Sequence, residues 1–202
     1  MTTALNYSQA QAGHTTYLPT SAHFLLNDKC NAKCVFCGGN YFNSRSGRMM
    51  TLEKFKIIAD NIHLEHYRQA ILAGAGDPLL CPDFVPIMQH LHAAYPSVEI
   101  SVTTNGIALN RKLGEAMLAY GITMLNVSLN AATRETYRRL MQVDAFDSIC
   151  RQLRDFSALC KEHGSGPQLQ LSIPSMRCNV EELPLLIQFA HEVGAGTVNV
   201  FY

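Results

Sequence analysis

Three cysteines lie within eight residues, in Cys30-Asn31-Ala32-Lys33-Cys34-Val35-Phe36-Cys37. At spacings of four and three, one curl of a loop can aim all three sulfurs at a single small centre. Thiolates are soft ligands and select iron–sulfur clusters, zinc or copper over hard cations. A four-iron cluster takes four ligands. Three protein thiolates leave one iron open, as catalytic metal sites keep a position open for substrate. Zinc would want a fourth Cys or His nearby. No His lies between Cys30 and Tyr41, and the first upstream is His23. A zinc site and a chance grouping of thiols stay open on spacing alone. Cys81, Cys150, Cys160 and Cys178 are widely spread and read as free thiols, with Cys150 and Cys160 inside a helix-like stretch.

Other polar and small residues stand where strand-like segments end. Gly74-Ala75-Gly76-Asp77-Pro78 combines backbone freedom with one anion, which suits a ligand approached closely by main chain. It also reads as a plain turn. Thr103-Thr104-Asn105-Gly106 is a polar ending, and its Asn-Gly pair is again a turn signal. In Ser128-Leu129-Asn130, strand alternation puts Ser128 and Asn130 on one face. The alternative is that Asn130 or Thr133 caps the helix that follows.

The cysteine spacing resembles that of the radical S-adenosylmethionine (SAM) superfamily, and the later motifs are similar to that family's in the same order. The resemblance implies that Cys30, Cys34 and Cys37 hold a [4Fe–4S] cluster whose open iron is chelated by SAM. It implies that reductive cleavage of the sulfonium yields a 5′-deoxyadenosyl radical for hydrogen abstraction. Phe36 matches an aromatic usually found near the adenine. Gly74 to Pro78 resembles a Gly-Gly-Glu-Pro segment that receives the SAM amino group, with Ala75 and Asp77 as departures. On that basis Asp77→Glu would retain or improve SAM affinity. Asn105, Ser128 and Asn130 match polar positions that face the cofactor. No catalytic residue is assigned. The segment Ser128 to Met141, with Tyr137, looks most like SPASM-type enzymes, which modify peptides and proteins or build cofactors. An external electron donor, flavodoxin- or ferredoxin-like, is implied, with a peptide, protein or small-molecule substrate.

The elements that must position these residues read as alternating strands and helices. Strands are expected at His23–Asn27, Arg68–Ala73, Val98–Thr103, Met124–Leu129, Leu169–Ile173 and Thr197–Phe201. Helices are expected at Thr51–Leu64, Asp83–Tyr95, Asn110–Tyr120, Arg134–Met141, Phe146–His163 and Glu181–Val193, with Leu52, Phe55, Ile58 and Ile62 on one face of the first. Strands joined by helical crossovers pair in parallel. Eight such units want about 250 residues. The 202 residues here suggest an α/β fold, an open partial (βα)6-type barrel with outer helices and the last helix missing. In such folds ligands gather at the carboxyl ends of strands, where the motifs stand.

With 48% hydrophobic and 16% charged residues, there is material for one core. A formal net charge of zero argues against nucleic-acid binding driven by phosphates. No apolar run approaches the ~18 residues of a membrane span. Cytoplasmic residence is expected, since a reducing compartment suits thiolate ligands. Residues 1–19 read as a flexible lead-in and 20–202 as the core domain, C-terminally incomplete because a strand pattern runs into the terminus. The rival reading is a non-catalytic zinc- or cluster-binding α/β domain.

Overall fold

The computed structural model describes residues 19–38 and 47–201. The expected lead-in therefore lies outside the described residues, apart from Pro19. Six strands form one sheet: β1 (Ser21–Leu25), β2 (Gln69–Ala73), β3 (Glu99–Thr104), β4 (Ile122–Ser128), β5 (Gln168–Pro174) and β6 (Thr197–Phe201). They pair in the order β1-β2-β3-β4-β5-β6, every pair parallel. The helices are α1 (Leu52–Asn61), α2 (Phe84–Ala94), α3 (Arg111–Ala119), α4 (Arg134–Met141), α5 (Phe146–His163) and α6 (Leu183–Glu192). This is the open six-stranded α/β arrangement that the sequence pattern suggests.

Local chemistry sets the helix boundaries. The side chains of Thr51, Asn110 and Thr133 accept from the N–H of Lys54, Leu113 and Thr136, capping α1, α3 and α4. Gln142 and Gly164 end α4 and α5 in the left-handed conformation, with φ of 54° and 75°. In α2, Phe84, Ile87, Met88 and Leu91 are all buried, the inward stripe of a 3.6-residue period. In α1 the stripe runs differently from expectation. Phe55 and Ala59 are buried, whereas Ile58 is 39% exposed. One step of about 100° separates Ile58 from Ala59, and the smaller residue takes the inner place.

The first strand also differs. It is expected at His23–Asn27 but pairs with β2 only from Ser21↔Gln69 to Leu25↔Ala73. Asn27 instead forms an antiparallel bridge with Met49, and Met50 N–H donates to Leu26 C=O at 2.7 Å. That pairing pulls residues 26–27 off the parallel ladder and into the approach to the cysteine loop.

A monotonic strand order with right-handed crossovers puts every connecting helix on one face of the sheet. Ala22, Phe24, Ala70, Leu72, Val102, Leu125, Val127, Leu171 and Ile173 form that buried face, within one hydrophobic core. The opposite face is mostly polar, interrupted by Leu25, Ile71 and Met124. Gln69 Nε2 donates to Ser101 Oγ at 2.8 Å, Ser172 Oγ to Asn126 Oδ1 at 2.5 Å, and Asn199 Nδ2 to Gln170 Oε1 at 3.0 Å. Cross-strand pairs of this kind stabilise neighbouring strands and leave the face wettable. No helix among the described residues is long and apolar enough to cross a membrane.

One ionised side chain locks the segment before α6 to the start of α4. Glu182 accepts from Ala132 N–H at 2.8 Å, Thr133 N–H at 3.2 Å and the Thr133 hydroxyl at 2.6 Å. Partial burial opposes its charge, but donors from Thr133, Thr136 and Ala132 outweigh that and hold the carboxyl below its ordinary value. A depressed folded-state value gives stability that is present above the ordinary glutamate range and is lost as pH falls through the lowered value. Glu182→Ala should lower unfolding stability near neutrality by about 1.5–3 kcal/mol. Glu182→Gln should lose less stability than wild type in urea unfolding between about pH 7 and about pH 3.5. Equal acid sensitivity of the two proteins would remove Glu182 from this role.

Candidate metal and cofactor site

The cysteine loop sits at the carboxyl ends of the strands and is gripped from two sides. On one side, at the end of β3, Asn105 Nδ2 lies 3.4 Å from Cys30 Sγ and 2.8 Å from Asn31 Oδ1. On the other, Lys33 N–H donates to Met141 C=O at 3.0 Å and Val35 N–H to Leu140 C=O at 2.9 Å. Those two carbonyls end α4 and would otherwise lack partners within the helix. Cys34 Sγ meets Met141 Sδ at 3.4 Å, and Cys37 N–H donates to Cys34 C=O at 3.1 Å. Phe36 stands on the loop's turn, 38% exposed.

Gly74 and Gly76 serve a close approach. Gly74 has φ of 148°, and a Cβ there would fall 2.5 Å from Leu25 Cδ2. A Cβ on Gly76 would fall 2.2 Å from Asn27 Oδ1 and 2.3 Å from Lys29 C=O. The segment after β2 therefore packs main chain to main chain against the lead-in to Cys30. Gly76 N–H donates to Asn27 C=O at 3.1 Å and Asp77 N–H to Lys29 C=O at 2.7 Å. Asn27 Nδ2 donates to Asp77 C=O at 2.8 Å, closing the seam.

Asp77 is 2% exposed, and its carboxylate turns into the protein. The Thr104 hydroxyl lies 2.8 and 3.0 Å from its two oxygens. Asn105 N–H donates at 2.7 Å and Leu79 N–H at 3.0 Å. Burial raises the carboxyl above its ordinary value, against the lowering effect of the Asn105, Thr104 and Leu79 donors. A glutamate here would have to place one more methylene to keep these contacts.

Asn130 also departs from the alternation argument. β4 ends at Ser128, Leu129 N–H turns back to Val127 C=O at 3.0 Å, and Asn130 is left-handed with φ of 65°. Ser128 is half-buried, whereas Asn130 is 3% exposed. Asn130 Nδ2 lies 3.1 Å from Met141 Sδ, and its C=O accepts from Asn179 Nδ2 at 3.0 Å. The structure thus gathers Cys30, Cys34, Gly76, Asp77, Asn105 and Asn130 around one loop. It adds Asn27, Met141 and Asn179, for which no spacing in the sequence gives a signal.

Among the remaining thiols, Cys81 and Cys150 are buried, and Cys160 and Cys178 are partly so. Burial pushes the Cys81 and Cys160 thiols up, and Cys150 up to about 11. Protonated thiols are poor ligands, which agrees with reading them as packing residues. No cysteine is in a disulfide. Among the described residues, no three Cys, His, Asp or Glu side chains are drawn together closely enough to hold a metal ion as they stand.

Residues 25–183 match the family described as the Radical SAM superfamily. The chain belongs to that superfamily. The GTP 3′,8-cyclase of Paenarthrobacter nicotinovorans is 32% identical over 179 residues, covering 87% of this chain and 48% of that protein. The probable GTP 3′,8-cyclase of Methanocaldococcus jannaschii is 27% identical over 175 residues, covering 87% of this chain and 56% of that protein. The chain thus spans about half the length of the curated relatives it matches. Streptococcus suis SuiB bound to S-adenosylmethionine superposes with a TM-score of 0.75 at 16% identity, over 90% of this chain and 40% of that one. Methylornithine synthase superposes with a TM-score of 0.68 at 17% identity, over 90% of this chain and 52% of that one. At such identities the likeness is one of fold.

Radical SAM enzymes use a [4Fe–4S] cluster and SAM. The donor set in this chain fits the cluster: three thiols share one loop, and a side-chain N–H already faces the sulfur of one of them. Hydrogen bonds to sulfur are among the means by which proteins tune such clusters.

The carboxylate of Asp77 is expected to matter for stability before it matters for any ligand. Asp77→Ala leaves the N–H groups of Leu79 and Asn105 unpaired and should lower stability by about 2–4 kcal/mol. Asp77→Glu adds a methylene to a filled place and should cost about 1–3 kcal/mol. Urea unfolding of the apo-protein reads both. Wild-type stability in Asp77→Glu would show a carboxylate free to swing outward.

Proposed function

We propose that Cys30, Cys34 and Cys37 hold the [4Fe–4S] cluster, and that this chain is the catalytic core of a radical SAM enzyme acting on GTP or a closely related nucleotide. One observation carries the cluster assignment: the cysteine loop is anchored through Asn105 to β3 and through the end of α4 to the segment after β4. A loop held at both ends over the carboxyl edge of a parallel sheet lies where such folds bind ligands. The substrate class rests on the curated relatives, whose names state ring closure between the 3′ and 8 positions of GTP. The polar face of the sheet supports it. Asn126, Gln170 and Asn199, all partly exposed, offer donors and acceptors to a polar ligand, where an apolar barrel interior would not.

The bound cluster and SAM supply the hard chemistry, reductive cleavage of a carbon–sulfur bond to give a radical able to take a hydrogen atom. The chain's own residues bind, orient and shield. Cys30, Cys34 and Cys37 supply three thiolates. Asn105 fixes the position of Cys30 and is itself fixed by Asp77 through its main-chain N–H. Gly76 keeps its main chain close to the cysteine lead-in, and the main chain from Gly74 to Gly76 presents carbonyls that suit an ammonium group of SAM. Ser128 stands at the end of β4 on the polar side, within the set expected to orient SAM. Phe36 offers an apolar surface for the adenine. An external one-electron donor of the flavodoxin or ferredoxin kind supplies the electron.

The test is anaerobic reconstitution followed by metal and product analysis. Wild type should hold about four irons and four sulfides. The triple change of Cys30, Cys34 and Cys37 to Ala should abolish the cluster, whereas changing Cys81, Cys150, Cys160 and Cys178 should not. Reduced protein should release 5′-deoxyadenosine and methionine from SAM, and GTP should accelerate that release more than any peptide does. Zinc without iron or sulfide would overturn the metal assignment. An intact cluster with SAM cleavage that is indifferent to GTP would overturn the substrate assignment.

A further inference from the structure

Tyr137 differs from Tyr95, whose hydroxyl donates to Asp60. It is fully buried on α4, yet its hydroxyl has no hydrogen-bond partner among the described residues. A buried hydroxyl without a partner is penalised by its lost hydration, and a phenylalanine would fill the same space without that loss. The ring is held on one side by Phe146, with centroids 5.8 Å apart. Tyr137 lies one helical turn before Met141 and therefore on the same face of α4. The cysteine loop rests against the C-terminal end of the same helix: Met141 Sδ is 3.4 Å from Cys34 Sγ, and Lys33 and Val35 donate to the carbonyls of Met141 and Leu140. The charges that bear on the phenol point the same way. Burial raises its proton affinity most, and the further upward push comes first from Cys34, then Cys30, Cys150 and Asp77. A phenol kept neutral beside thiolates is a donor and not a competing anion.

From this placement we infer that, once the cluster is bound, the Tyr137 hydroxyl donates a hydrogen bond to a cluster sulfur on the Cys34 side, and that it raises the cluster's reduction potential. The inference rests on the proposal that Cys34 is a cluster ligand. Reduction adds negative charge to the cluster sulfurs, so a donor to sulfur stabilises the reduced form more than the oxidised one. Cys30 receives a donor of the same kind from Asn105. The two donors come from opposite sides of the loop, one from the end of β3 and one from α4.

The experiment compares wild type with Tyr137→Phe, and with Tyr95→Phe as control. The Tyr95 hydroxyl donates to Asp60 at 2.7 Å, on α1, away from the cysteine loop. Iron and sulfide are counted first in all three proteins. Failure of wild type to hold a cluster sinks the ligand proposal on which the inference rests. With clusters present, potentiometric titration followed by electron paramagnetic resonance reads the inference itself. Tyr137→Phe should shift the potential more negative. The expected size is a roughly tenfold loss of reduced over oxidised cluster at a fixed ambient potential, about 59 mV for one electron. Tyr95→Phe should leave the potential at the wild-type value. Thermal unfolding of the apo-proteins adds a readout of opposite sign. Apo Tyr137→Phe should unfold at or above the wild-type temperature, because the lost hydroxyl had no partner. Apo Tyr95→Phe should unfold lower, because a hydrogen bond is removed. An unchanged potential in Tyr137→Phe, or a marked loss of apo stability in it, would overturn the inference.

Discussion

The buried carboxylate of Asp77 is the constraint on which the rest of the site depends. Two strand ends that do not otherwise share a side chain meet at it, because Thr104 and Asn105 from β3 and Leu79 from beyond β2 all donate to it. An anion almost removed from water is expensive to keep, and only fixed donors make it tolerable. Two of those donors, Thr104 and Asn105, belong to one turn at the end of β3. Fixing the charge therefore fixes the side chain that reaches Cys30. The main chain of Asp77 adds a second tie, to Lys29 and Asn27 just before the cysteine loop. One residue thus couples the ends of two strands to the start of the cysteine loop.

The opposite side of the loop is held by a different device. The last carbonyls of α4 have no partners within the helix, and the N–H groups of Lys33 and Val35 supply them. The start of α4 is in turn tied down by Glu182. Asn179 closes the same region by donating to Asn130 and Pro174 carbonyls at 3.0 and 2.8 Å. A loop without regular structure of its own is therefore positioned by two rigid neighbours. Precision of this kind is what a constellation of ligands needs.

Much of the fold was legible because its signals are local. Thr133 as cap, the apolar stripe of α5 and the turn at Gly164 define α4 and α5 without help from the rest of the chain, and both match residue for residue. β1 was read two residues late because its end is decided by a bridge from Asn27 to Met49, a contact across the chain. The cysteines were legible by spacing, while the inward turn of Asp77 was not. Glycine, acid and proline in a row describe a turn equally well whether the carboxylate faces a ligand or a neighbouring strand. Alternation failed at Asn130 because the strand had already ended and the backbone had turned left-handed. Met141 and Asn179 carry no pattern, since their roles exist only once distant segments are in contact.

Charge balance links these observations. Asn105 links Cys30 to the Asp77 carboxyl, and negative charge added near a cluster makes a further electron harder to accept. Among the described residues, several N–H groups stand close to these negative groups. Asn105 faces Cys30, and the N–H groups of Asn105 and Leu79 face Asp77. Neutral donors stabilise negative charge without pairing it away, so a cluster held as proposed would keep more of its drive to give up an electron than one beside a cation. A lysine or arginine in their place would lower the energy of the reduced state further and weaken its drive to pass an electron on. The site is thus arranged for moderate relief of charge, delivered by groups the backbone holds in place.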